Sequence, residues 1–477
     1  MGENLALLSL TEASDALDAG RTTSVALTEA CLDRIEALNG KVNAFIRVDR
    51  EAALRAAQES DRERSAGRRR GRLHGIPLAH KDMFDRAGQV STGGSKILRE
   101  RTAPTTSTVL ERLDAAGAVD LGTLNMSEFA AGPTGHNIHY GHCRNAYDQD
   151  HISAGSSSGS GVAVASRMAF GALGSDTGGS IRLPAAVNGL VGLKATYGRI
   201  SRYGAMPRSW SLDHVGPLAR TAEDAALIYE AVAGVDPRDP TTAQQPPVTP
   251  VSFKETGLSG LRVGALSDEA LAGVDQQIRA ALDESLRAIE RLGARIVRVD
   301  YPDAGPLYFT AEAIIKSEAG AMHRAWLKDR PQDYSANVRV RTEAGLAIPA
   351  VTYIDALRLR THLTADFMAG TMADIDVLHM PTLPFPVPTI AETDVETLGG
   401  EKVLEVVGRM TQFTRPISLL GLPAVSAPCG FDAKGLPIAM QLVGHPFDEA
   451  RLLTTVHAYQ QATDFHRQAP SIAQPNS

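Results

Sequence analysis

An α/β fold with a mixed or parallel central sheet covered by helices is predicted by three observations. Residues 261–300 read as strand, helix and strand; residues 72–204 carry short apolar runs between Gly- and Ser-rich loops; and the tail repeats strand, strand and helix. A chain of 477 residues without an internal repeat can bury one large core, which favours a single large α/β/α domain.

The elements follow in order. Ser9 and Glu12 have capping-box spacing ahead of "ASDALDAG", with Gly20 as a stop, and a second helical pattern runs from about Ser24 through Leu27, Cys31, Ile35 and Leu38 to Gly40. Residues 1–70 are therefore expected to be an N-terminal helical segment. From 71 to 235 the chain turns Gly- and Ser-rich and closes with "AEDAALIYEAVAG", capped by Thr221 and Asp224 and ending at Gly234. The polar, Pro-rich stretch 236–252 reads as a surface linker, an excursion within one domain. Residues 253–470 continue that domain. "LRVGAL" (261–266) is a strand pattern, and 274–292 is a helix with Ile278, Leu282, Ile289 and Leu292 on one face. "ARIVRVD" (294–300), "PAVSAPCGF" and "PIAMQLVG" are strand patterns, and "DEARLLTTVHAYQQAT" is helical.

Composition narrows the function classes. A formal net charge of −7 supplies no general electrostatic reason to bind nucleic acid or an anionic membrane, and the Arg-rich run at 62–71 fits a solvated connector. Cys31, Cys143 and Cys429 are too few and too dispersed for a disulfide framework or a metal site, so a reducing, cytoplasmic setting is expected. The N-terminal stretch has no basic region and no long apolar run, which points to neither a signal peptide nor a membrane span.

The chemistry concentrates in "SDTGGSIRLP" (175–184), where an apolar segment meets a tight Gly-Gly turn immediately before Ser180. Two glycines leave room for a substrate to approach the backbone, and the amides of Thr177, Gly178, Gly179 and Ser180 could converge as an oxyanion hole. A serine nucleophile needs a base. One alternative is a histidine triad on Ser157 within "GSSSG", with His80, His151 or His214 as base, but the polar "NAYDQDHISA" before it is not the strand such a turn follows. The other is Lys81, which follows the apolar "GIPLAH". To accept a proton, a lysine must have its pKa brought from about 10.4 toward neutrality, a cost of about 4 kcal/mol that burial can impose. No S-x-x-K occurs in the chain, so Lys81 would have to reach its serine across the fold.

These segments together resemble the amidase signature family. The matching motifs are "GIPLAHKDMF", "LGTLNMSEFAAGPTG", "AGSSSGSGVAVA", "GALGSDTGGSIRLPAAVNGLVGLKATYGRISRYG" and "SLDHVGPLARTAEDAA", densest over 73–232, with a resumption at 415–453. The resemblance implies the amidase signature fold and makes residues 71–235 the catalytic core. By motif position it makes Ser180 the acyl-forming nucleophile, Ser156 the bridging serine after a cis peptide, and Lys81 the base. It implies Thr177, Gly178 and Gly179 for the oxyanion hole and Phe129 for the acyl pocket. Asp176 and Arg182, flanking the turn, read as an ion pair that braces it. Two departures stand out: Ser158 where many members have glycine, and Ala195 where proline is usual.

The activity implied is hydrolysis of the C–N bond of small carboxamides, with anilides, esters or carbamates open to the same relay, and with neither metal nor organic cofactor. The partner expected is a small-molecule amide, and a homodimer is a common family assembly. The alternative is the ammonia-releasing component of a tRNA-dependent glutamine amidotransferase, which takes ammonia from glutamine for a partner protein; "MPRSWSLDHVGP" (206–217) looks more like independent amidases. A catalytically silent binding protein is disfavoured because all three triad positions are filled. The acyl and amine groups depend on residues 300–415, which no motif constrains.

Overall fold

Eleven strands join in one sheet in the computed structural model, which describes residues 5–255, 257–394 and 400–474. They are β1 (Phe45–Val48), β2 (Pro77–Lys81), β3 (Val119–Leu124), β4 (Gly171–Asp176), β5 (Val191–Lys194), β6 (His214–Ala219), β7 (Arg262–Leu266), β8 (Arg295–Val299), β9 (Val377–Pro381), β10 (Ala424–Phe431) and β11 (Pro437–Gly444). Their spatial order is β1-β3-β2-β4-β6-β5-β10-β11-β9-β7-β8. The sheet is mixed: β3-β2-β4 and β9-β7-β8 run parallel, and the strands between them pair antiparallel. Helices cover it, giving a single large α/β/α domain.

Local signals explain several helix ends. Ser9 and Glu12 form a reciprocal capping box on the helix Leu10–Asp18, and Thr221 accepts from the Asp224 amide to start Ala222–Val232. Gly40 does not stop the second helix, which runs Ser24–Val42 and closes at Asn43. There a left-handed φ of 53° lets the cap N–H reach Asn39 O at 2.7 Å. Gln276–Arg291 buries Ile278, Leu282 and Ile289, as its periodicity requires.

The stretch 236–252 is tied down at its start and near its middle. Asp236 is buried and accepts the hydroxyls of Thr108 and Ser201, while Arg199 donates to Pro246 O at 2.6 Å. Four of the arginines of 62–71 are engaged in ion pairs, among them Arg64 with Asp18 at 2.6 Å and Arg70 with Glu63 at 2.5 Å. Among the described residues no helix is long and apolar enough to cross a membrane.

Two short helices set the stage for chemistry. Ser158–Ala165 is buried throughout and packs against β2, β3, β4 and β6, and Arg182–Val187 packs against β5, β10 and β11. At Gly159 any side chain would collide with backbone, since a Cβ would lie 2.3 Å from Ala44 O and 2.5 Å from Asn125 N. Its neighbour Ser158, the departure from the family pattern, fits by donating to Asn125 O at 3.3 Å.

Candidate active site

Lys81 is the last residue of β2, a strand buried along its whole length between β3 and β4. Its ammonium nitrogen lies 2.7 Å from Ser156 Oγ and 2.9 Å from Ser175 Oγ, with no exposed surface. Burial brings its pKa down to about 7, against the opposing pull of the Asp213 and Asp176 carboxylates. A lysine so placed is neutral in about half of the molecules at pH 7 and in that form can accept a proton.

Ser156 follows a cis Gly155–Ser156 peptide and leads into the Ser158–Ala165 helix. Its carbonyl accepts from the Ser127 amide at 3.1 Å, and the next amide, that of Ser157, donates to Ser180 O at 3.3 Å. The turn carrying Ser180 is therefore docked directly onto the Ser156 loop. Lys81 and the Ser180 turn stand at the carboxyl ends of the adjacent parallel strands β2 and β4, where open α/β sheets place their ligands. Ser180 is half-buried and lines a cavity with Thr177, Gly178, Ala131, Gly132 and Pro133.

Asp176 and Arg182 are paired, both with no exposed surface. The guanidinium donates from Nε to Asp176 Oδ2 and from Nη2 to Oδ1, both at 2.9 Å, and also to Gln441 Oε1 at 2.6 Å and Ser418 Oγ at 2.7 Å. Burial alone would raise the Asp176 pKa, but the charge and hydrogen bonds of Arg182 hold it well below the usual carboxylate range. Removing one partner leaves the other charged in a dry interior. Arg182→Met is therefore expected to lower stability by about 3–5 kcal/mol, read as a shift in the urea midpoint without a change in slope.

Two expectations are corrected. The Gly179 amide is engaged by Asp176 Oδ1 at 2.7 Å and so is not free for an oxyanion; the amides of Thr177, Gly178 and Ser180 have no intramolecular acceptor among the described residues. Gly179 is required for another reason. Its φ is +133° and a Cβ would sit 2.4 Å from Thr414 Oγ1. Phe129 does not reach the cavity. It is wholly buried, stacked on Trp326 at 5.6 Å between ring centres and edge-on to His323 at 4.5 Å; the residues after it, Ala130 to Pro133, form the wall.

The histidine alternative finds no geometry. Ser157 Oγ is held against the backbone of Ser175, at 3.2 Å from both its N and its O. His80 faces Asp120 at 3.3 Å, His151 faces Asp148 at 3.0 Å, and His214 lies between Asp176 O at 3.1 Å and Lys194 at 3.3 Å. Sequence reasoning missed Ser175, although it stands in the quoted turn motif. It also missed Asp213, which accepts the Thr177 hydroxyl at 2.6 Å and whose burial raises its pKa. Strand alternation next to the turn was the available signal for Ser175, and Asp213 stands inside the matching motif "SLDHVGPLARTAEDAA".

Known proteins match this chain along most of its length. A family model described as Amidase matches residues 26–453. The A component of the glutamyl-tRNA(Gln) amidotransferase of Aromatoleum aromaticum is 40% identical over 496 residues, covering 98% of this chain and 99% of the relative. A solved structure described as a vestigial complex revealing the origins of an s-triazine catabolic enzyme superposes with a TM-score of 0.88 at 36% identity, covering 95% of this chain and 98% of that one. The peptide amidase of Stenotrophomonas maltophilia gives 0.83 at 32% identity, over 98% and 99%.

Proposed function

The chain belongs to the amidase family, and from that premise we propose that it cleaves the C–N bond of a carboxamide through a serine acyl-enzyme, with Lys81, Ser156 and Ser180 as relay. The observation that carries this reading is the 2.7 Å contact between a fully buried Lys81 and Ser156, beside the Ser180 turn. Neutral Lys81 takes the Ser156 proton as Ser156 takes that of Ser180. The Ser180 oxygen bonds to the carbonyl carbon, whose π electrons move onto oxygen opposite the amides of Thr177, Gly178 and Ser180. As the carbonyl re-forms, the C–N bond breaks and the proton returns through Ser156 to the departing nitrogen. Water repeats the sequence on the ester, releasing the acid and free Ser180.

For the fate of the released ammonia, the curated relatives back a role as the amidase component of a tRNA amidotransferase better than that of a free-standing carboxamidase. The support is similarity along nearly the whole chain to proteins of that name. On that reading a partner and a glutamyl-tRNA enter, against the expectation drawn from net charge. The free-standing reading keeps the support of the peptide amidase, which matches over a similar length.

Ammonia or amine release from glutamine, a primary aryl amide, an anilide and an aryl carbamate separates the two. Glutamine turnover that appears only when a partner is added supports the amidotransferase role. Turnover of the simpler substrates by the isolated chain supports the free-standing one. Silence on every substrate with and without a partner would overturn the amide-cleaving reading.

A further inference from the structure

A second cavity, of about 570 Å³, opens at the outer edge of the sheet and shares no lining residue with the one beside Ser180. β8 is the last strand there, paired only with β7, and its Val297 and Val299 form one side. The start of the helix Ala304–Asp329 forms a second side through Leu307, and one face of the helix Ala350–Ala369 forms a third. On that face Leu363, Asp366, Phe367 and Gly370 follow at helical spacing. The interior is apolar and aromatic. Leu307 and Phe367 are buried, Val299 and Leu363 are half-buried, and Tyr301 stands edge-on to Phe367 with ring centres 6.0 Å apart. The Tyr301 hydroxyl is withdrawn from solvent and has no hydrogen-bond partner among the described residues, so the wall keeps an oxygen that no protein donor fills.

The rim is acidic, and its charge is unanswered. Asp300, Asp303, Asp366 and Asp374 all line the cavity, all are exposed, and none has an ion-pair partner among the described residues. Asp376, just outside, is by contrast paired with Arg262 at 2.8 Å. Arg298 is the one cation of the lining, and it is turned to the backbone, donating to Leu266 O at 2.9 Å. A concave surface lined by one sign of charge over apolar walls focuses the field and draws in the opposite ion. Aromatic rings beside the carboxylates favour an organic cation, whose apolar body they cover, over a strongly hydrated metal ion.

We infer that this cavity binds an organic ammonium ion, with the ammonium group among the four carboxylates and an alkyl or aryl body against Val299, Leu307, Leu363 and Phe367. Its volume is that of a small-molecule pocket. The inference stands apart from the amide-cleaving reading, since none of its residues belongs to the Ser180 site.

The test is a calorimetric titration at pH 7 with three probes. 3-Phenylpropylammonium carries charge and body, 3-phenylpropan-1-ol the body alone, and methylammonium the charge alone. The first is expected to bind at least about tenfold more tightly than either of the others, and its advantage over the alcohol should fall at least about threefold between about 20 and about 500 mM salt. Because an amine is also a product of amide cleavage, substitutions locate the binding. Asp366→Asn combined with Asp374→Asn should weaken it at least about fivefold with no change in the urea midpoint, since both carboxylates are exposed and unpaired. Asp355→Asn, on the same helix but outside the cavity and paired with Arg358, should leave it unchanged. No saturable binding of 3-phenylpropylammonium up to about 10 mM, equal affinity for the alcohol, or affinity unaltered in the double variant would each overturn the site. A loss as large in Asp355→Asn as in the double variant would reduce the effect to overall charge and overturn it as well.

Discussion

Ser180→Ala is expected to abolish amide hydrolysis, lowering kcat by about 10⁴-fold or more, because no acyl-enzyme can form without the hydroxyl oxygen. The change is small structurally. Ser180 is half-buried, and the contact that docks its turn uses its carbonyl, which accepts from the Ser157 amide at 3.3 Å and survives the substitution. The brace of Asp176 and Arg182 lies beneath the turn and is untouched. Stability should therefore stay within about 0.5 kcal/mol of the parent, as for substitutions away from packed or charged features. Labelling by a fluorophosphonate should vanish with activity. A variant that retained labelling and rate would move the nucleophile to another serine, and Ser157 is poorly placed to take the role, since its hydroxyl is held by the backbone of Ser175.

How far the site can be read from the chain depends on whether its parts are contiguous. Lys81, Ser156 and Ser180 each lie in a continuous motif, and the three segments meet because β2 and β4 are parallel neighbours whose carboxyl ends coincide. The competition for a single amide is not legible in that way. Gly179 belongs to the same turn as Thr177 and Gly178, yet Asp176, three residues before it, takes its N–H, a choice set by how Arg182 holds that carboxylate. Phe129 is misleading for a related reason: a positive φ of 50° turns its ring into an aromatic cluster with Trp326 and Tyr334 that comes from the chain's unconstrained region. Arg208, Arg341 and Arg415 stand far apart in sequence, and although Arg208 and Arg415 fall in the quoted segments 206–217 and 415–453, nothing in those segments pairs them, so only the fold reveals that they share a wall of the Ser180 cavity. The same division holds for the fold. Capping at Ser9 and Thr221 is local and readable, whereas Gly40 looks like a stop and is passed over because the helix ends on a left-handed asparagine.

Lys81→Met is expected to separate activity from stability. The methionine keeps the length of the side chain in a fully buried position but cannot accept a proton, so kcat/KM should fall by about 10³-fold or more. In the parent, kcat/KM should rise with pH through about 7, since the neutral amine is the working form and the lysine titrates there. The variant's residual rate should lack that limb. The variant's stability should move opposite to its activity. A lysine whose pKa is about 7 when folded and about 10.5 when unfolded binds more proton in the unfolded chain between those values, so the parent gains stability as pH rises across that window. Below it the cost of carrying the buried ammonium is about 5 kcal/mol. Methionine removes this cost while leaving the Ser156 and Ser175 hydroxyls without their nitrogen partner, a loss of about 1–3 kcal/mol. The variant should therefore be at least as stable as the parent at pH 7, and the difference should shrink or reverse toward pH 10, as followed by urea unfolding. A parent whose stability is flat from pH 7 to 10, together with a rate independent of pH near 7, would mean that Lys81 is charged in the folded protein and cannot be the base.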